Sequence, residues 1–272
     1  MAEPTVAVVD VGSNSLHLQV VRGGELLCLQ RAEVRMGRLV EGRIDGPTVK
    51  AASEALAAFH AEARSWGAEL QAFGTAALRD ATNRDEVLAT LPVRVEVLSG
   101  EQEARLAYRG AAEALDLRGP SVVFDLGGRS TEVVRGVGPT VFEAFSLPVG
   151  HLNLARGTRP DFHLVAHLRG QLIGTAGTAL TLARIAAAGR GESPPTRHGL
   201  SISRDELREL HPRIGRGESL PGSDPRRADT LYAGAGAVLA LLEALDAPGY
   251  VTSEAGLREG LVAHCLELAE AC

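Results

Sequence analysis

The chain opens with a pattern of strands rather than of helices. Residues 6–22 have the sequence VAVVDVGSNSLHLQVVR, an apolar run that ends in Asp, a turn of small polar residues, and a second run in which apolar and polar positions alternate. The glycine pair Gly23-Gly24 and a third strand-like run follow. Alternation with a period of two on both sides of short turns predicts a sheet built from β-hairpins at the start of the chain.

The same pattern returns 115 positions later. Residues 121–135 have the sequence SVVFDLGGRSTEVVR, so that Asp10 matches Asp125 and Gly12 matches Gly127. One Asp-x-Gly after a strand occurs by chance, but two copies with matching flanks, each followed by a glycine-containing turn and a third strand, indicate a repeat. The pattern therefore predicts a duplicated domain.

Helical and strand-like segments alternate between and after the two copies. The spacing of apolar positions predicts helices over 47–66, 83–90, 101–116, 160–172, 176–189, 204–211, 227–246 and 254–270, and strands over 68–75, 93–98 and 249–252. The segment 189–200 is rich in Gly, Pro and Ser and is predicted to be a mobile loop. This alternation predicts an α/β class with helix-covered sheets, divided into domains 1–119 and 120–272.

Composition excludes several classes of protein without naming a function. The chain has 272 residues, of which 45% are hydrophobic and 23% are charged, as in ordinary globular proteins. No run of about 18 apolar residues predicts a membrane span, and no signal peptide is recognised at the start. The cysteines Cys28, Cys265 and Cys272 have neither ligand nor disulfide spacing. These features predict a soluble, reduced, cytoplasmic protein without a membrane partner.

The charge pattern bears on possible partners. The formal net charge is -6, and Lys50 is the only lysine among 28 basic residues. This balance, typical of a GC-rich genome, argues against a protein that coats nucleic acid. It leaves room for a local arginine site, because the planar guanidinium matches phosphate oxygens.

Three glycine-bearing segments carry the candidate chemistry: DVGSNS at 10–15, DLGGRS at 125–130 and GTAGT at 174–178. In the first two, small residues after a strand let backbone N–H groups converge on an anion. An Asp at the strand end would repel phosphate unless a hard cation such as Mg²⁺ lies between them. One such loop alone is more often a plain turn, whereas the matched pair predicts phosphate binding.

Two further segments have no special meaning when taken alone. In LSGEQEARL, residues 98–106, a helix starts after Ser99-Gly100, and Glu101 and Glu103 in its first turn are ordinary partners of the helix dipole. Arg79, on the apolar stretch TAALRD, has the character of a surface residue.

Taken together, the segments resemble the exopolyphosphatase / guanosine pentaphosphate phosphohydrolase (Ppx/GppA) phosphatase family, in its short two-domain form. The resemblance rests on an ordered set of blocks that covers nearly the whole chain: DVGSNSLHL, GTAALRDATN, VLSGEQEARLAYRG, VVFDLGGRSTEVV, LPVGHLNL, GTAGTALTLA, LSISRDEL, RADTLYAGAGAVLALL and SEAGLREGLV. It implies the actin-like ATPase (ASKHA) superfamily, with duplicated ribonuclease-H-like domains and a cleft between them, in agreement with the repeat.

The resemblance also implies a site, position by position. The metal-binding acidic residues fall on Asp10, Asp125 and Glu132, and the glutamate that acts on water falls on Glu103. The implied phosphate-binding residues are Gly12, Ser13, Asn14, Arg79, Gly127, Gly128, Ser130, Thr131, Gly174, Thr175, Gly177 and Thr178.

The implied activity is Mg²⁺-assisted hydrolysis of a terminal phosphoanhydride. The substrate would be inorganic polyphosphate or the 5′-γ-phosphate of guanosine pentaphosphate (pppGpp), with a lean to polyphosphate from the abundance of arginine. Two alternatives remain open: an ATP-using kinase or ATPase of the same superfamily, with Gly234-Ala-Gly236 at an adenosine site, and a non-catalytic polyphosphate or alarmone sensor. The resemblance also implies a bacterial protein that forms homodimers.

Three features depart from the family pattern. Arg129 replaces the third glycine of the second loop, where it either strains the backbone or adds a phosphate contact. His17 stands where an arginine is frequent, and a single histidine on a strand is more often structural. The stretch 150–174 is short, which implies a compact protein with less surface for a long polymer.

Two sets of basic side chains have only weak signals. His163 and His167 have i, i+4 spacing, but no carboxylate accompanies them, which favours a solvated surface over a metal site. Arg216, Arg226 and Arg227 form either a basic rim for a polyanion or an ordinary surface.

Overall fold

The structure is a computed structural model that describes residues 3–225 and 228–270. The described residues form two compact units, 3–106 together with 257–270, and 107–256. Arg226 and Arg227, two of the three residues of the predicted basic rim, lie outside the described residues, as does Cys272.

The first unit is built on a five-stranded sheet. Its elements are β1 (Thr5–Val11), β2 (Ser15–Arg22), β3 (Glu25–Glu33), α1 (Gly46–Ser65), β4 (Leu70–Gly74), α2 (Ala76–Asp80), α3 (Arg84–Thr90), β5 (Val95–Val97) and the C-terminal α9 (Leu257–Glu270). Helix α4 (Gly100–Ala114) starts in this unit and ends in the second. The strand order is β3-β2-β1-β4-β5, in which β1 pairs antiparallel with β2 and parallel with β4.

The second unit is built on a six-stranded sheet. Its elements are β6 (Pro120–Leu126), β7 (Thr131–Val137), β8 (Thr140–Leu147), α5 (His151–Leu154), a 3-10 turn (His163–Val165), β9 (Gln171–Thr175), α6 (Ala176–Gly189), β10 (Ser201–Ser203), α7 (Arg204–Gly215), α8 (Ala228–Ala244) and β11 (Gly249–Thr252). The strand order is β10-β11-β9-β6-β7-β8, in which β6 pairs antiparallel with β7 and parallel with β9.

The two sheets repeat one topology. In each, the first strand lies in the interior of the sheet, the next two strands form an antiparallel meander on one side, and the fourth adds in parallel on the other side. This is the ribonuclease-H-like arrangement, and its duplication within one chain is the actin-like (ASKHA) architecture. The predicted α/β fold class and duplicated domain are therefore confirmed.

Burial of apolar side chains explains the sheet positions. The interior strands β1 and β6 are apolar on both faces, with Val6, Val8, Val9, Val122 and Phe124 all buried, as expected for strands covered by helices on both sides. On one face of the first sheet, side chains of β1 pack with Leu261, Val262 and Cys265 of α9. Among the described helices, none combines the length and the apolar content that spanning a bilayer requires.

Most of the predicted elements are present, but the helix predicted over 160–172 is wrong. That stretch contains the 3-10 turn and the start of β9. Gly170 packs so closely on the Pro120 backbone that a Cβ there would lie 2.7 Å from the Pro120 carbonyl oxygen. The apolar run that follows is buried by parallel pairing with β6, because a short apolar segment fits a strand as well as a helix until its neighbour is known.

The compact units do not follow the predicted division at residue 119. Residues 107–119 belong to the second unit, and residues 257–270, predicted to close the second domain, belong to the first. The reason is that α9 packs on β1, and a Cβ added to Gly260 would overlap the Leu106 carbonyl. The duplicated sequence pattern locates the sheets, whereas the last helix returns to the sheet that lies earlier in the chain.

Candidate functional site

The first signature loop lies in the β1–β2 turn. Its peptide groups are ordered by the segment that follows β3: the Ser13 carbonyl accepts from the Gly37 N–H at 2.7 Å, and the Asn14 carbonyl accepts from the Arg35 N–H at 2.8 Å. In a trans peptide the carbonyl and the next N–H point in opposite directions. The N–H groups of Asn14 and Ser15 are therefore turned away from residues 34–37, on the side of the loop where an anion is predicted.

Gly12 has a steric reason to be glycine. A Cβ at this position would lie 3.0 Å from the Ser15 carbonyl oxygen and 3.6 Å from Oδ1 of Asp10. The Gly12 N–H donates to the same Ser15 carbonyl at 3.3 Å and closes the turn. The glycine thus lets the loop close directly over the Asp10 carboxylate.

The second signature loop, between β6 and β7, repeats this design. The Gly127 N–H donates to the Ser130 carbonyl at 2.9 Å, as Gly12 does to Ser15. The Gly127 and Gly128 carbonyls accept from the N–H groups of His151 and Leu152, at 3.1 and 2.8 Å. No peptide bond among the described residues is cis, so the N–H groups of the next residues in the loop, Gly128 and Arg129, face the other way. The loop presents N–H groups on one side, which suits phosphate.

The backbone conformation of Arg129 shows whether an arginine at this position strains the second loop. Among the described residues, the non-glycine residues with positive φ are Arg35, Glu41, Asp116, Ala176 and Asp246, and Arg129 is not one of them. An arginine therefore occupies the third-glycine position without left-handed strain. The loop keeps its form, and the guanidinium is an additional positive charge on it.

Arg79 and Glu103, which lie on different helices, meet in the first unit. Arg79 Nη1 donates to Glu103 Oε2 at 2.8 Å and to the Leu98 carbonyl at 3.1 Å. The side chains are only 22% and 11% exposed. The sequence separated these two residues by a strand and a helix, and each alone had an ordinary explanation. Their ion pair brings these two predicted site residues together.

A capping box fixes where Glu103 lies. The Ser99 hydroxyl accepts from the Gln102 N–H at 3.1 Å, and the Gln102 side-chain oxygen accepts from the Ser99 N–H at 2.8 Å. This reciprocal pair starts α4 at a defined residue. Glu103 follows directly and donates its own N–H to the Ser99 carbonyl at 3.0 Å. The acidic residue is thus held one turn into a rigid helix, aimed at Arg79.

The acidic residues at the ends of the first strands face different partners. Asp10 lies opposite His17 across β1 and β2, whereas Asp125 lies opposite Glu132 across β6 and β7. The His17 ring lies 3.0 Å from the Ser15 hydroxyl. Sequence comparison within the chain could have shown that His17 and Glu132 occupy equivalent positions. The second unit therefore places two carboxylates side by side, and the first places one beside an imidazole.

Hydroxyl groups orient the two carboxylates of the second unit. The Thr175 hydroxyl donates to Asp125 Oδ2 at 3.0 Å, and the Ser146 hydroxyl donates to Glu132 Oε1 at 2.7 Å. Glu132 is only 2% exposed. Two neighbouring carboxylates, of which Glu132 is buried and Asp125 partly buried, repel one another unless a cation or a proton lies between them. Because hard oxygen donors are what Mg²⁺ prefers, the residues present fit a divalent cation.

The described residues contain no group of three or more His, Cys, Asp or Glu side chains arranged to hold a metal. This agrees with the ordinary mode of Mg²⁺ binding, in which one or two carboxylates act together with waters and substrate phosphates. Asp10, Asp125 and Glu132 remain predicted metal ligands.

The turn at 174–178 has a mixed role. A Cβ at Gly174 would lie 2.7 to 2.9 Å from Phe124, Tyr250 and Ala179, so close packing in the core is enough to require glycine there. The hydroxyl of buried Tyr250 donates to the Ala179 carbonyl at 2.9 Å, and burial raises its pKa. Gly174 thus anchors the turn in the core of the second unit.

The residues after Gly174 lie closer to the predicted metal ligand Asp125. Thr175 uses its hydroxyl to hold Asp125, as described above, and it is fully buried. Ala176 has φ of +60°, a left-handed conformation that costs an alanine about 1–2 kcal/mol. Strain of this kind concentrates at functional sites. The strained residue begins α6, and Gly177 stays a predicted phosphate-binding residue.

Thr178 and Gly234 contact one another. Thr178 is buried, and a Cβ at Gly234 would lie 2.7 Å from its Cγ2. A Cβ at Gly236 would lie 3.2 Å from the His211 ring. Both glycines of the candidate adenosine segment therefore serve helix packing in the second unit.

The remaining histidine candidates lie apart from one another. His163 Nδ1 is 2.8 Å from Asp161, and His167 Nε2 is 2.7 Å from Glu143, both on the exposed surface. Each imidazole has its own carboxylate, and the i, i+4 helical spacing is absent because the segment is a 3-10 turn. These residues form a solvated surface and do not form a metal pair.

The second unit also contains a cavity of about 470 Å³, which lies apart from the signature loops. Its lining includes Gln171 and Gly249, the first residues of β9 and β11. The signature residues lie at the carboxyl ends of the strands, and none of them lines this cavity. This cavity and the predicted chemistry are thus at opposite edges of the sheet.

Sequence reasoning missed three residues that shape the second unit's site: Gly150, Asn153 and Ser146. The block LPVGHLNL was part of the resemblance, but no role was assigned to its residues. These residues contact the second loop and Glu132 through tertiary packing of the chain, which no local sequence pattern shows.

The sequence of this chain matches a known protein family. The sequence profile of the Ppx/GppA phosphatase family matches residues 24–269. The chain belongs to that family. The match includes the first unit from residue 24 onward and the second unit, and it agrees with the resemblance drawn from the motifs.

Relatives in the family are similar along their whole length. Exopolyphosphatase 1 of Mycobacterium leprae (strain TN) is 31% identical over 96% of this chain and 89% of its own. The crystal structure of the Aquifex aeolicus Ppx/GppA family member superposes with a TM-score of 0.80 at 28% identity, covering 97% of this chain and 98% of that one. An exopolyphosphatase from Cytophaga hutchinsonii has a TM-score of 0.82 at 22% identity, over 97% and 98% of the two chains, and supports the fold alone.

Proposed function

We propose that this Ppx/GppA family member is an exopolyphosphatase that hydrolyses the terminal phosphoanhydride bond of inorganic polyphosphate. The observation that carries the proposal is the ion pair between Arg79 and Glu103, a water-activating carboxylate beside a phosphate-binding cation, within a family that includes the similar exopolyphosphatase of M. leprae. Hydrolysis of the 5′-γ-phosphate of pppGpp is a second reaction of the same chemistry.

In this proposal Glu103 orients the attacking water and takes its proton. The capping box at Ser99 and the Arg79 guanidinium hold its carboxylate in one orientation, which reduces the entropy lost on reaching the reactive geometry. Arg79 keeps further N–H donors on its guanidinium for phosphate oxygens. Because phosphoryl transfer needs little covalent help, positioning and charge supply most of the acceleration.

The signature loops bind phosphate oxygens through backbone N–H groups. Their carbonyls are tied to residues 34–37 in the first unit and to residues 151–153 in the second, so the N–H side of each loop is preorganised before substrate arrives. Preorganised donors need no rearrangement as charge develops in the transition state. Ser13 and Ser130 add hydroxyl donors at the same turns.

In the second unit, Asp125 and Glu132 would hold Mg²⁺, and Asp10 stays a predicted metal ligand of the first unit. When bound, Mg²⁺ neutralises charge on the phosphate oxygens and so favours attack by water. The protein's own part is to orient the carboxylates, which the hydroxyls of Thr175 and Ser146 do for Asp125 and Glu132.

Two other functions remain as outcomes of the test. A kinase or ATPase needs an adenosine site, and the glycines at 234 and 236 are used in helix packing. A non-catalytic sensor would be favoured by a distorted second loop, and Arg129 causes no left-handed strain there. Both observations favour hydrolysis of polyphosphate.

The testing experiment compares phosphate release from polyphosphate, pppGpp and ATP, each with and without Mg²⁺. The proposal predicts Mg²⁺-dependent release from polyphosphate that exceeds release from ATP. Release from ATP alone would support the ATPase, and tight binding of polyphosphate without release would support the sensor. We also expect the homodimer implied by the resemblance to be visible in the molar mass measured by light scattering.

A further inference from the structure

The second phosphate loop is clamped by a segment to which no function is assigned. Residues 150–153 lie behind the loop and touch the backbone of three successive loop residues. The two backbone contacts, from His151 and Leu152, use N–H groups that any residue could supply. The other two contacts depend on the identity of the side chains at positions 150 and 153.

Asn153 binds a carbonyl of the loop through its side chain. Its Nδ2 donates to the Arg129 carbonyl at 2.8 Å and lies 3.4 Å from the Pro148 carbonyl. Both neighbours are acceptors, so the amide nitrogen must face them. Since the Arg129 carbonyl and the Ser130 N–H share one trans peptide, holding the carbonyl turns that N–H to the opposite side.

Gly150 sets the distance at which this contact is made. A Cβ added to Gly150 would overlap the N, Cα and C atoms of Arg129, so the two backbones touch directly. Gly150 has no positive φ, so its need for glycine is a matter of space. Only glycine lets the segment approach near enough for Asn153 to reach the Arg129 carbonyl.

We propose that Asn153 and Gly150 are positioning residues that fix the Arg129–Ser130 peptide with its N–H turned toward substrate phosphate. This inference rests on the proposed phosphate-binding role of the second loop. Without the Asn153 bond, the peptide rotates, and its carbonyl turns partly toward the phosphate oxygens and repels them. Phosphate binding then weakens, and turnover falls because one donor is no longer preorganised.

The test compares Asn153→Leu, which keeps the size of the side chain and removes its donor, with Asn153→Ala and the wild type. The probes are the dissociation constant of inorganic orthophosphate, measured calorimetrically, and the kcat and KM of polyphosphate hydrolysis. We expect both variants to raise the orthophosphate constant and KM about 5- to 20-fold, in line with the weakening of one hydrogen bond to a charged group, and to lower kcat.

Asn83→Ala is the matched control. Asn83 is also an asparagine whose Nδ2 donates to a backbone carbonyl, that of Ile44 at 2.9 Å, but its contact closes a loop in the first unit. This control should lower the thermal midpoint while leaving the orthophosphate constant and KM within twofold of wild type. The comparison separates loss of stability from loss of positioning.

Unchanged orthophosphate affinity and KM in Asn153→Leu would overturn the inference, whatever its thermal midpoint. So would equal losses in the Asn83 and Asn153 variants. If Asn153→Leu does not fold, Asn153→Ala decides, because it removes the same bond without adding apolar bulk. If the wild type binds orthophosphate but does not cleave polyphosphate, the proposed function fails while the affinity comparison still decides the positioning role.

Discussion

Replacing Glu103 by glutamine separates its proposed chemistry from its structural role. Glutamine has the same shape, and its side-chain oxygen can still accept from Arg79, which lies 2.8 Å from Oε2 in the wild type. The change removes the charge–charge attraction and leaves a hydrogen bond from the charged guanidinium to a neutral amide oxygen, a difference of about 1–2 kcal/mol. Because the Arg79 side chain is 22% exposed, solvent screens part of the difference. We therefore expect a loss of stability of about 1 kcal/mol.

The expected catalytic loss is much larger. A general base contributes roughly 10²- to 10⁴-fold to the rate, which corresponds to about 2.7–5.5 kcal/mol in the activation free energy. The assay is the initial rate of phosphate release from polyphosphate at saturating substrate, with thermal unfolding followed in parallel. KM should stay within a few-fold of wild type, because Glu103 acts on water and Arg79 remains in place.

Glu101→Gln is the control for this variant. Glu101 lies in the same helical turn and pairs with Arg105 at 2.8 Å, but its side chain is 62% exposed. It should change neither turnover nor stability measurably, because exposed ion pairs contribute little. Near-normal turnover in Glu103→Gln would refute the assignment, and so would an equal loss in both variants.

Three further predictions concern the loop, the core and a helix cap. Arg129→Gly should raise KM for polyphosphate about 3- to 10-fold in steady-state assays by removing a phosphate contact, and an unchanged KM would contradict that contact. Gly174→Ala should lower stability in urea unfolding by about 1–3 kcal/mol through overpacking, whereas Gly189→Ala, a helical position with open space, should stabilise by about 0.5–1 kcal/mol. Hydrogen bonds from Thr48 lower the pKa of Asp45 from 3.8, so its stabilising effect is present above that unfolded-state value and is lost as pH falls through the lower folded-state pKa. The difference in thermal midpoint between wild type and Asp45→Ala should accordingly be constant above about pH 5 and shrink at lower pH, and a constant difference down to pH 2 would contradict this reasoning.

The repeat made the fold predictable. Each copy carries its strand ends and its turn glycine in the local sequence, and the structure places both copies in equivalent sheets. The local sequence pattern could not show which elements become neighbours in the tertiary structure. Strand β9 is a strand because β6 lies beside it, and α9 joins the first unit because β1 offers an apolar face there.

The site was predictable in its residue types more than in its contacts. The two loops were visible as Asp-x-Gly turns, whereas Arg79 and Glu103 stood out only through the family resemblance, since 24 residues separate them. The clamp by Asn153 is a long-range contact of the same kind. The residue that seemed most doubtful in sequence, Arg129, fits because the backbone at that position does not need the left-handed conformation of glycine.

The central claim is that this chain releases orthophosphate from the ends of polyphosphate. The most direct measurement follows free orthophosphate and the remaining chain length together, using polyphosphate of defined length with Mg²⁺. The account predicts a steady release of orthophosphate with gradual shortening and no internal fragments, and about 100-fold or greater loss of that release in Glu103→Gln. Shortening of the chains without a matching release of orthophosphate, or no release above the level of that variant, would contradict it.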